Sequence, residues 1–189
     1  MGERPAVTPR ASMETLGRRI AIIGPPCSGK TTLSRVIGNR LGLPVIELDS
    51  IYWQPNWTPL EASEFTKQVA TVASQEQWVI DGNYSATRNI VWPRAECFVW
   101  LDFALPIVLI RVARRSLKRW LSREELWNGN RENLRTFAFS TDSLFLWALK
   151  THHRRRSIYG RLLRHESRPV VRLRTPREVE RFCKGIIER

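Results

Sequence analysis

The segment Gly24-Pro25-Pro26-Cys27-Ser28-Gly29-Lys30-Thr31 matches the pattern Gly-x-x-x-x-Gly-Lys-Ser/Thr. It follows a short apolar run, Arg18–Gly24, that predicts a buried strand. It precedes apolar residues at helical spacing over Thr31–Leu41. Glycines permit the turns of such a loop, and its N–H groups together with the helix N-terminus attract phosphate. The sequence therefore predicts a phosphate-binding loop between a strand and a helix.

The chemistry of this loop assigns roles to its residues. Lys30 is expected to reach the β- and γ-phosphates of ATP, and the Thr31 hydroxyl to bind Mg²⁺. The predicted nucleotide-binding residues in the loop and the first helical turn are Gly24, Cys27, Ser28, Gly29, Lys30, Thr31 and Thr32. The two prolines lack an N–H group but come early in the loop, ahead of the donors that matter most. We interpret Cys27 as a small filler, the alternative being a thiol activated by Lys30 and the helix N-terminus.

Strand and helix patterns alternate along the rest of the chain, which is typical of a parallel sheet covered by helices on both faces. The predicted strands are Arg18–Gly24, Val45–Leu48, Gln77–Ile80, Glu96–Leu101 and Pro169–Leu173. The predicted helices are Thr31–Leu41, Leu60–Gln75, Leu105–Leu121, Asp142–Arg164 and Pro176–Ile187. The fold class expected is α/β, a three-layer α/β/α P-loop NTPase with a five-stranded parallel sheet and a short helical lid.

The connections carry further predictions. Residues 49–59 contain two Pro and two Trp and predict an ordered loop, after which Thr58 would cap the next helix with Pro59 at its first position. We expect a flexible tail over residues 1–17 and a single domain over residues 18–189. The lid is expected over about residues 115–141, with residues 126–134 of uncertain structure.

Composition limits the protein classes. The chain has 189 residues, 42% hydrophobic and 26% charged, which excludes disorder of the whole chain and a coiled coil. Three scattered cysteines suit neither a disulfide scaffold nor a metal site, so we expect free thiols in a reducing compartment. The sequence shows neither an export signal nor an apolar run long enough to span a bilayer. We therefore expect a cytoplasmic protein with no membrane partner, and we favour a monomer.

The charge is asymmetric. Lys and Arg number 31 against 18 Asp and Glu, for a net charge of +13. Residues 1–102 contain ten of each sign, whereas residues 103–189 contain 21 basic and 8 acidic residues. This pattern indicates a polyanionic partner for the second half, such as phosphates or nucleic acid, with a solvated basic face as the alternative.

Carboxylates follow three of the predicted strands: Asp49, Asp81 and Asp102. Ligands of parallel α/β sheets bind at the carboxyl ends of the strands, so these groups are candidates for Mg²⁺ binding and for activating a nucleophile. Glu47 lies two residues before Asp49 and either shares its face of the strand or is simply polar at a strand edge.

Two further segments are more specific than the phosphate loop. They read Asp49-Ser50-Ile51-Tyr52-Trp53-Gln54-Pro55-Asn56-Trp57 and Trp78-Val79-Ile80-Asp81-Gly82-Asn83-Tyr84. With the loop and the arginines of residues 111–115, they resemble adenylate-kinase-like P-loop kinases over about residues 18–185. Within that group, they are most similar to the bacterial proteins known as DNA topology modulation proteins or adenylate-kinase-related kinases.

The resemblance implies roles for the acidic segments. Asp81-Gly82 is similar to the Asp-Gly of adenylate kinases, where the Asp acts at the Mg²⁺ shell. Asn83-Tyr84 departs from the Phe-Pro found there, and Arg88 lies further along than the family's Arg. The resemblance therefore implies acceptor binding by Arg88 but does not imply that AMP is the acceptor. Asp49 and the residues after it resemble uridine kinases, which makes Asp49 a candidate base or hydroxyl-positioning residue. A Mg²⁺-water ligand or a cap of the loop are its alternatives.

The resemblance also implies a set of binding residues. Arg111 and Arg115, at i and i+4, resemble the lid-entry arginines that clamp the transferring phosphoryl group, with Arg114 and Arg119 as alternatives. Arg131, with Arg135, is expected to descend from the lid, and Arg174-Thr175-Pro176 to hold adenine, whereas Arg154–Arg156 are expected to be a solvated face. The predicted substrate-binding residues are Asp49, Tyr52, Trp53, Asn83, Tyr84, Arg88 and Arg131. Trp53 and Trp57 either stack on a ring of the substrate or fill space over the core.

The function expected from all of this is transfer of the γ-phosphoryl group of ATP, with Mg²⁺, to an unidentified small acceptor. The catalytic candidates are Lys30, Asp49, Asp81, Arg111 and Arg115. The alternative is a nucleic-acid-associated P-loop ATPase or a polynucleotide 5′-hydroxyl kinase, because the basic second half could also give weak nucleic-acid binding.

Overall fold

The computed structural model describes residues 16–122, 127–130 and 144–187. The strands are β1 (Arg19–Ile23), β2 (Val45–Glu47), β3 (Trp53–Gln54), β4 (Thr58–Pro59), β5 (Trp78–Asp81), β6 (Cys97–Leu101) and β7 (Val170–Leu173). The helices are α1 (Lys30–Leu41), α2 (Leu48–Tyr52), α3 (Ala62–Ala73), α4 (Arg88–Val91), α5 (Leu105–Ser122), α6 (Leu144–Arg164) and α7 (Pro176–Ile187). Single 3₁₀ turns cover Pro55–Trp57, Ser85–Thr87, Trp92–Arg94 and Trp127–Gly129.

Five strands form one parallel sheet in the order β2–β5–β1–β6–β7. Its register pairs Ile22 with Asp81 on one side and with Val99 on the other. The chain fills one side of β1 first and then crosses to the other, so β1 lies at the switch point where such sheets bind ligands. The predicted α/β class and five-stranded parallel sheet are confirmed.

The core lies on both faces of the sheet because successive strand residues point to opposite sides. In β1, Ile20 and Ile22 face one cluster, whereas Ala21 and Ile23 face the other. The first cluster contains Ile37 of α1 and Phe182 of α7 as well as side chains of α5. The second contains residues of α3 and α6, so each face of the sheet is covered by helices.

The start of α3 differs from the prediction. Pro59 pairs with Trp53 in an antiparallel ribbon, and the helix begins at Ala62. Glu61 caps it by accepting hydrogen bonds from the backbone N–H groups of Ser63 and Glu64. The prediction of a Thr58 cap was wrong because the ribbon β3–β4 takes Thr58 and Pro59 first. The predicted loop of residues 49–59 is instead a short helix followed by this ribbon and a 3₁₀ turn.

The predicted tail and the predicted lid are only partly described. Of the predicted tail over residues 1–17, residues 1–15 lie outside the described residues, and Leu16 is fully buried in the first core cluster. Of the predicted lid over residues 115–141, the structure describes the end of α5 and residues 127–130. None of the described helices has the length and apolarity needed to cross a bilayer.

Candidate active site

The loop between β1 and α1 has the backbone of a phosphate cradle. Cys27 has φ 55° and Gly29 has φ 94°, so left-handed residues alternate with ordinary ones. Such alternation turns N–H groups toward a common centre, and the N-terminus of α1 adds the positive end of its dipole. The side chain of Lys30 lies back across the loop, with its Nζ 3.2 Å from the carbonyl oxygen of Pro25. Thr32 is exposed on the first turn of α1.

Asp81 ends β5 directly beside this cradle. The Thr31 hydroxyl donates a hydrogen bond of 2.6 Å to Oδ2 of Asp81, whereas Oδ1 is buried and without a hydrogen-bond partner in the described chain. Burial raises the pKa of Asp81, and the charge of Lys30 opposes that rise. A buried carboxylate oxygen without a partner, beside a threonine hydroxyl and a phosphate cradle, fits the oxygen ligands that Mg²⁺ prefers.

Asn83 joins the loop after β5 to the phosphate loop. Its Oδ1 accepts from the backbone N–H of Gly24 at 3.3 Å, and its Nδ2 donates to the carbonyl oxygen of Gly24. Gly82 before it has φ 154°, and a Cβ there would lie 2.7 Å from Cβ of Leu48. The glycine therefore permits close packing, and the amide of Asn83, which we predicted to bind substrate, is engaged in holding Gly24.

Asp49 lies in the first turn of α2, directly after the edge strand β2 and next to the strand β5 that ends in Asp81. The hydroxyl of Tyr84 donates a hydrogen bond of 2.6 Å to its Oδ1. Burial, followed by the charge of Asp49, raises the pKa of Tyr84, so the phenol stays protonated as the donor. The structure thus brings together two of the predicted substrate residues.

The aromatic residues of this region pack against one another. The ring of Tyr52 lies 4.7 Å from that of Tyr84 and 5.0 Å from that of Phe65, and Trp53 packs edge-on against both Tyr52 and Trp57. Tyr52 and Trp53 are half-buried in this cluster. Their contacts are those of a packed wall beside Asp49.

The segment 127–130 contacts this wall, and no pattern in the sequence indicated the contact. Trp127 donates from its indole Nε1 to Glu47 at 2.9 Å, while Arg35 holds the other oxygen of Glu47. Asn130 accepts from the backbone N–H of Trp57 at 2.7 Å and donates to Gln54. Part of the predicted lid region therefore lies on the α2–β3 side of the site.

The arginines that were predicted to bind the phosphoryl group or the substrate do not all lie in one place. Arg111 donates to the carbonyl oxygen of Ser28 at 2.8 Å and stacks on Phe103, so α5 braces the phosphate loop. Arg115 is half-buried one turn further along, whereas Arg114 is exposed. Arg88 lies over the rings of Trp92 and Tyr159 at 5.4 and 5.5 Å. Arg131 and Arg135, and the side chain of Arg119, lie outside the described residues.

Helix α6 supplies residues that the sequence analysis missed or misassigned. Arg155 donates to the carbonyl oxygen of Asn83 at 3.1 Å, and Arg156 forms two hydrogen bonds to Asp102. Asp102 is 3% exposed and is also held by Arg172, so it joins β6, β7 and α6. The prediction that Arg154–Arg156 form a solvated face was wrong for Arg155, which is half-buried. Arg156 is 41% exposed but is bound to the buried Asp102. The i, i+3 spacing of these two arginines from buried His152 and Tyr159 was the available signal.

A narrow cleft that is partly open to solvent lies between α6 and the phosphate loop. Its apolar walls are Pro25, Pro26, Trp100, Phe103, Val108 and Ala148. Its polar walls are Asn83, Asp102, Thr151, His152, Arg155, Arg156 and Tyr159. His152 is 6% exposed, and its Nε2 lies 2.9 Å from the carbonyl oxygen of Phe103. A cleft of mixed polarity beside a phosphate cradle is a suitable binding site for a small organic molecule.

The segment predicted to hold adenine lies where β7 meets α7. Arg174 is exposed, and its backbone N–H donates to Glu178, while Pro176 begins α7. The backbone donor of Arg174 is thus engaged in capping the helix.

The strand order, the helices on both faces of the sheet and the loop after β1 together define a three-layer α/β/α fold with a phosphate-binding loop at the switch point of the sheet. Among solved structures, the chain is similar to shikimate kinase from Bacteroides thetaiotaomicron, with a TM-score of 0.59 and 14% identity over 90% of this chain and 97% of that one. It is also similar to a gluconokinase from Sinorhizobium meliloti 1021, with a TM-score of 0.53 and 20% identity over 92% of this chain and 93% of that one. At these identities, the likeness shows the fold.

Sequence comparisons are weaker. No family model matches the chain. A segment of 52 residues, 28% of the chain, is 42% identical to threonine synthase-like 1 of Mus musculus, and 75 residues, 39% of the chain, are 32% identical to the Homo sapiens protein of that name. The matched segments cover 7% and 10% of those much longer relatives.

Proposed function

We propose that the protein transfers the γ-phosphoryl group of ATP to a hydroxyl of a small anionic molecule. The observation that carries the proposal is that β5 and the loop after it connect two half-sites, one at the phosphate loop and one at Asp49. Asp81 contacts the phosphate loop through Thr31, and Tyr84, three residues later, holds Asp49 on the other side. An ATPase that uses only water needs no such second half-site.

On the donor side, the residues of the phosphate loop bind the triphosphate. The N–H groups from Cys27 to Thr31 and the side chain of Lys30 neutralise its charge, and Arg111 holds the loop from outside. Thr31 and Asp81 would hold Mg²⁺, whose contribution is further neutralisation of the phosphates. Arg115, followed by Arg131, is the candidate for stabilising charge on the transferred group.

On the acceptor side, Asp49 would receive a hydroxyl of the acceptor. Tyr84 occupies its Oδ1, and Oδ2 has no hydrogen-bond partner in the described part of the chain. The acceptor hydroxyl donates to this carboxylate and gives up its proton there as its oxygen bonds to the γ-phosphorus. The bond from that phosphorus to the β-phosphate bridging oxygen breaks, and ADP leaves.

Two arginines favour an acceptor that carries a negative charge. Arg88 stacks on Tyr159, and Arg155 lies 3.5 Å from the hydroxyl of the same residue. Both guanidinium groups are half-buried, and neither has a carboxylate partner among the described residues. Because a buried cation is stabilised by an opposite charge, a carboxylate or phosphate of the acceptor would fit between them.

The test is a transfer assay with γ-labelled ATP and Mg²⁺. The acceptors offered are hydroxy acids and sugar acids, their uncharged analogues, nucleosides, nucleoside monophosphates and 5′-hydroxyl oligonucleotides. We expect label on an anionic small molecule, no transfer by Lys30→Ala, and a raised acceptor KM with an unchanged ATP KM in Arg88→Met. Label on an uncharged acceptor alone would overturn the anionic part of the proposal. Release of phosphate alone, stimulated by nucleic acid, would overturn the kinase itself in favour of an ATPase.

A further inference from the structure

Helix α6 separates its basic residues into two sets. Its 21 residues contain six Lys or Arg and no acidic residue. Arg155 and Arg156 are engaged by hydrogen bonds to Asn83 and Asp102, respectively. The other four are exposed, and none has a hydrogen-bond or ion-pair partner in the described parts of the chain: Lys150, Arg154, Arg161 and Arg164.

These four residues share one face of the helix, which we call the α6 basic face. At about 100° per residue they lie within an arc of about 80°. Lys150 and Arg164 are about 21 Å apart along the axis, at 1.5 Å per residue. Ser157 occupies the gap in the row, so the acid-free face is continuous over this length.

The α6 basic face lacks the compensation that exposed helices ordinarily have. Charges on a solvated helix face usually alternate in sign, and like charges three or four residues apart repel each other. Lys150 with Arg154, and Arg161 with Arg164, have these spacings. Elsewhere the fold does pair its arginines, as with Arg156 and Arg172 on Asp102. An unpaired row of this kind is available to bind an external polyanion.

We propose that the α6 basic face binds the phosphate backbone of nucleic acid without regard to base sequence. A row of point charges about 21 Å long matches a regularly charged polymer. A lipid surface would need a continuous apolar helix face to insert. Tyr159 and Leu163 of α6 are buried in the core, and the exposed apolar residues of this helix are spread around it on both sides of the basic row: Trp147, Leu149 and Leu162. The proposal concerns a surface separate from the candidate active site and does not rest on the proposed function.

The test compares two variants with the same loss of charge. The first is Lys150→Gln/Arg154→Gln/Arg161→Gln/Arg164→Gln. The second removes four exposed cations from other elements, Arg18→Gln/Lys67→Gln/Arg181→Gln/Lys184→Gln. Binding to a short fluorescent DNA duplex is measured by anisotropy at several salt concentrations. Melting temperature and phosphate transfer are measured for both variants.

For the wild-type chain, we expect the logarithm of the association constant for the duplex to fall linearly with log[salt], with a slope of about −3 to −4. Each phosphate that one of the four cations neutralises contributes about −0.9 to this slope. The first variant should lose at least about tenfold in affinity and most of that slope, while the charge-matched variant keeps most of both. The melting temperature of the first variant should not fall, whereas loss of a structural role would lower it. Phosphate transfer should not change.

Three outcomes would overturn the proposal. Equal loss of binding in the two variants would show that only net charge matters. A wild-type slope near zero would show that phosphates are not contacted. Binding of phosphatidylserine vesicles through the same four residues, with no binding of the duplex, would assign the face to a membrane surface instead.

Discussion

The hydroxyl of Tyr84 lies 2.6 Å from Oδ1 of Asp49 and links the loop after β5 to the short helix α2. Two segments that are 35 residues apart in sequence thereby fix the position of one carboxylate. Since Tyr84 follows Asp81 by three residues, the same short segment also positions the phosphate side of the site. A small movement of this segment would move both half-sites together.

Removing this hydroxyl tests the role of Asp49. We expect Tyr84→Phe to lower kcat/KM for the acceptor about tenfold, the equivalent of about 1.4 kcal/mol for a hydrogen bond to a charged group, without changing the ATP KM. Tyr52→Phe is the matched control, because Tyr52 belongs to the same aromatic cluster and its hydroxyl has no hydrogen-bond partner among the described residues. Equal effects of the two substitutions in steady-state kinetics would show that only packing is involved.

Asp81 offers a test in which stability and function change in opposite directions. Burial raises its pKa, so its ionised form is destabilising at neutral pH in the absence of a bound cation. We expect Asp81→Asn to raise the melting temperature of the nucleotide-free protein and to abolish the further stabilisation that Mg²⁺·ATP gives the wild type. Differential scanning fluorimetry with and without Mg²⁺·ATP measures both effects.

The sign of the pH effect at Asp81 follows from the same shift. A raised pKa means that the carboxylate begins to protonate at a higher pH than an ordinary Asp, and Mg²⁺-dependent nucleotide binding should weaken as it does. An Asp81→Asn variant that melts at a lower temperature than the wild type without ligand, or that retains Mg²⁺-dependent stabilisation, would contradict the role of Asp81 in binding Mg²⁺.

Asp102 is predicted to be structural. Its side chain is 2% exposed, and its partners Arg156 and Arg172 are 41% and 32% exposed. We expect Asp102→Asn to lower the free energy of unfolding by about 2 kcal/mol in urea unfolding. This is less than the cost of breaking a fully buried pair, because solvent screens the two arginines. Arg35→Gln is the control, since Arg35 is 65% exposed beside Glu47 and should cost less than about 1 kcal/mol. A cost for Asp102→Asn no larger than that of the control would refute the role.

The sheet could be predicted from the sequence because its strands are short apolar runs, buried on both faces, next to glycine and proline. The phosphate loop was equally clear, because its chemistry lies in consecutive residues. The residues on α6 were not foreseen. Arg154, Arg155 and Arg156 are identical in type, and only the packing of His152 and Tyr159 decides which of them turn inward.

The contacts of Glu47 show a second limit. Its partners Arg35 and Trp127 lie 12 and 80 residues away, and no local pattern links them. The prediction of the α3 cap was wrong for a related reason. Thr58-Pro59 satisfies a local helix signal, but pairing of Thr58 with Gln54 and of Pro59 with Trp53 in the ribbon β3–β4 takes precedence.

The ion pair between Glu166 and Arg168 should contribute to the stability of the protein toward acid. Two side-chain hydrogen bonds from Arg168 lower the pKa of Glu166, although its partial burial opposes this, and Arg168 also donates to the carbonyl oxygens of Trp92 and Ala95. A carboxyl whose folded pKa lies below its unfolded value adds stability above the unfolded value of about 4.3 and loses that stability as the pH falls through the folded value. The difference in unfolding free energy between wild type and Glu166→Gln should therefore be constant near neutral pH and shrink below about pH 4.3. Other acidic groups titrate in both proteins and largely cancel in this difference. Urea unfolding at a series of pH values measures it, and a difference that stays constant or grows toward low pH would show that Glu166 does not act through this ion pair.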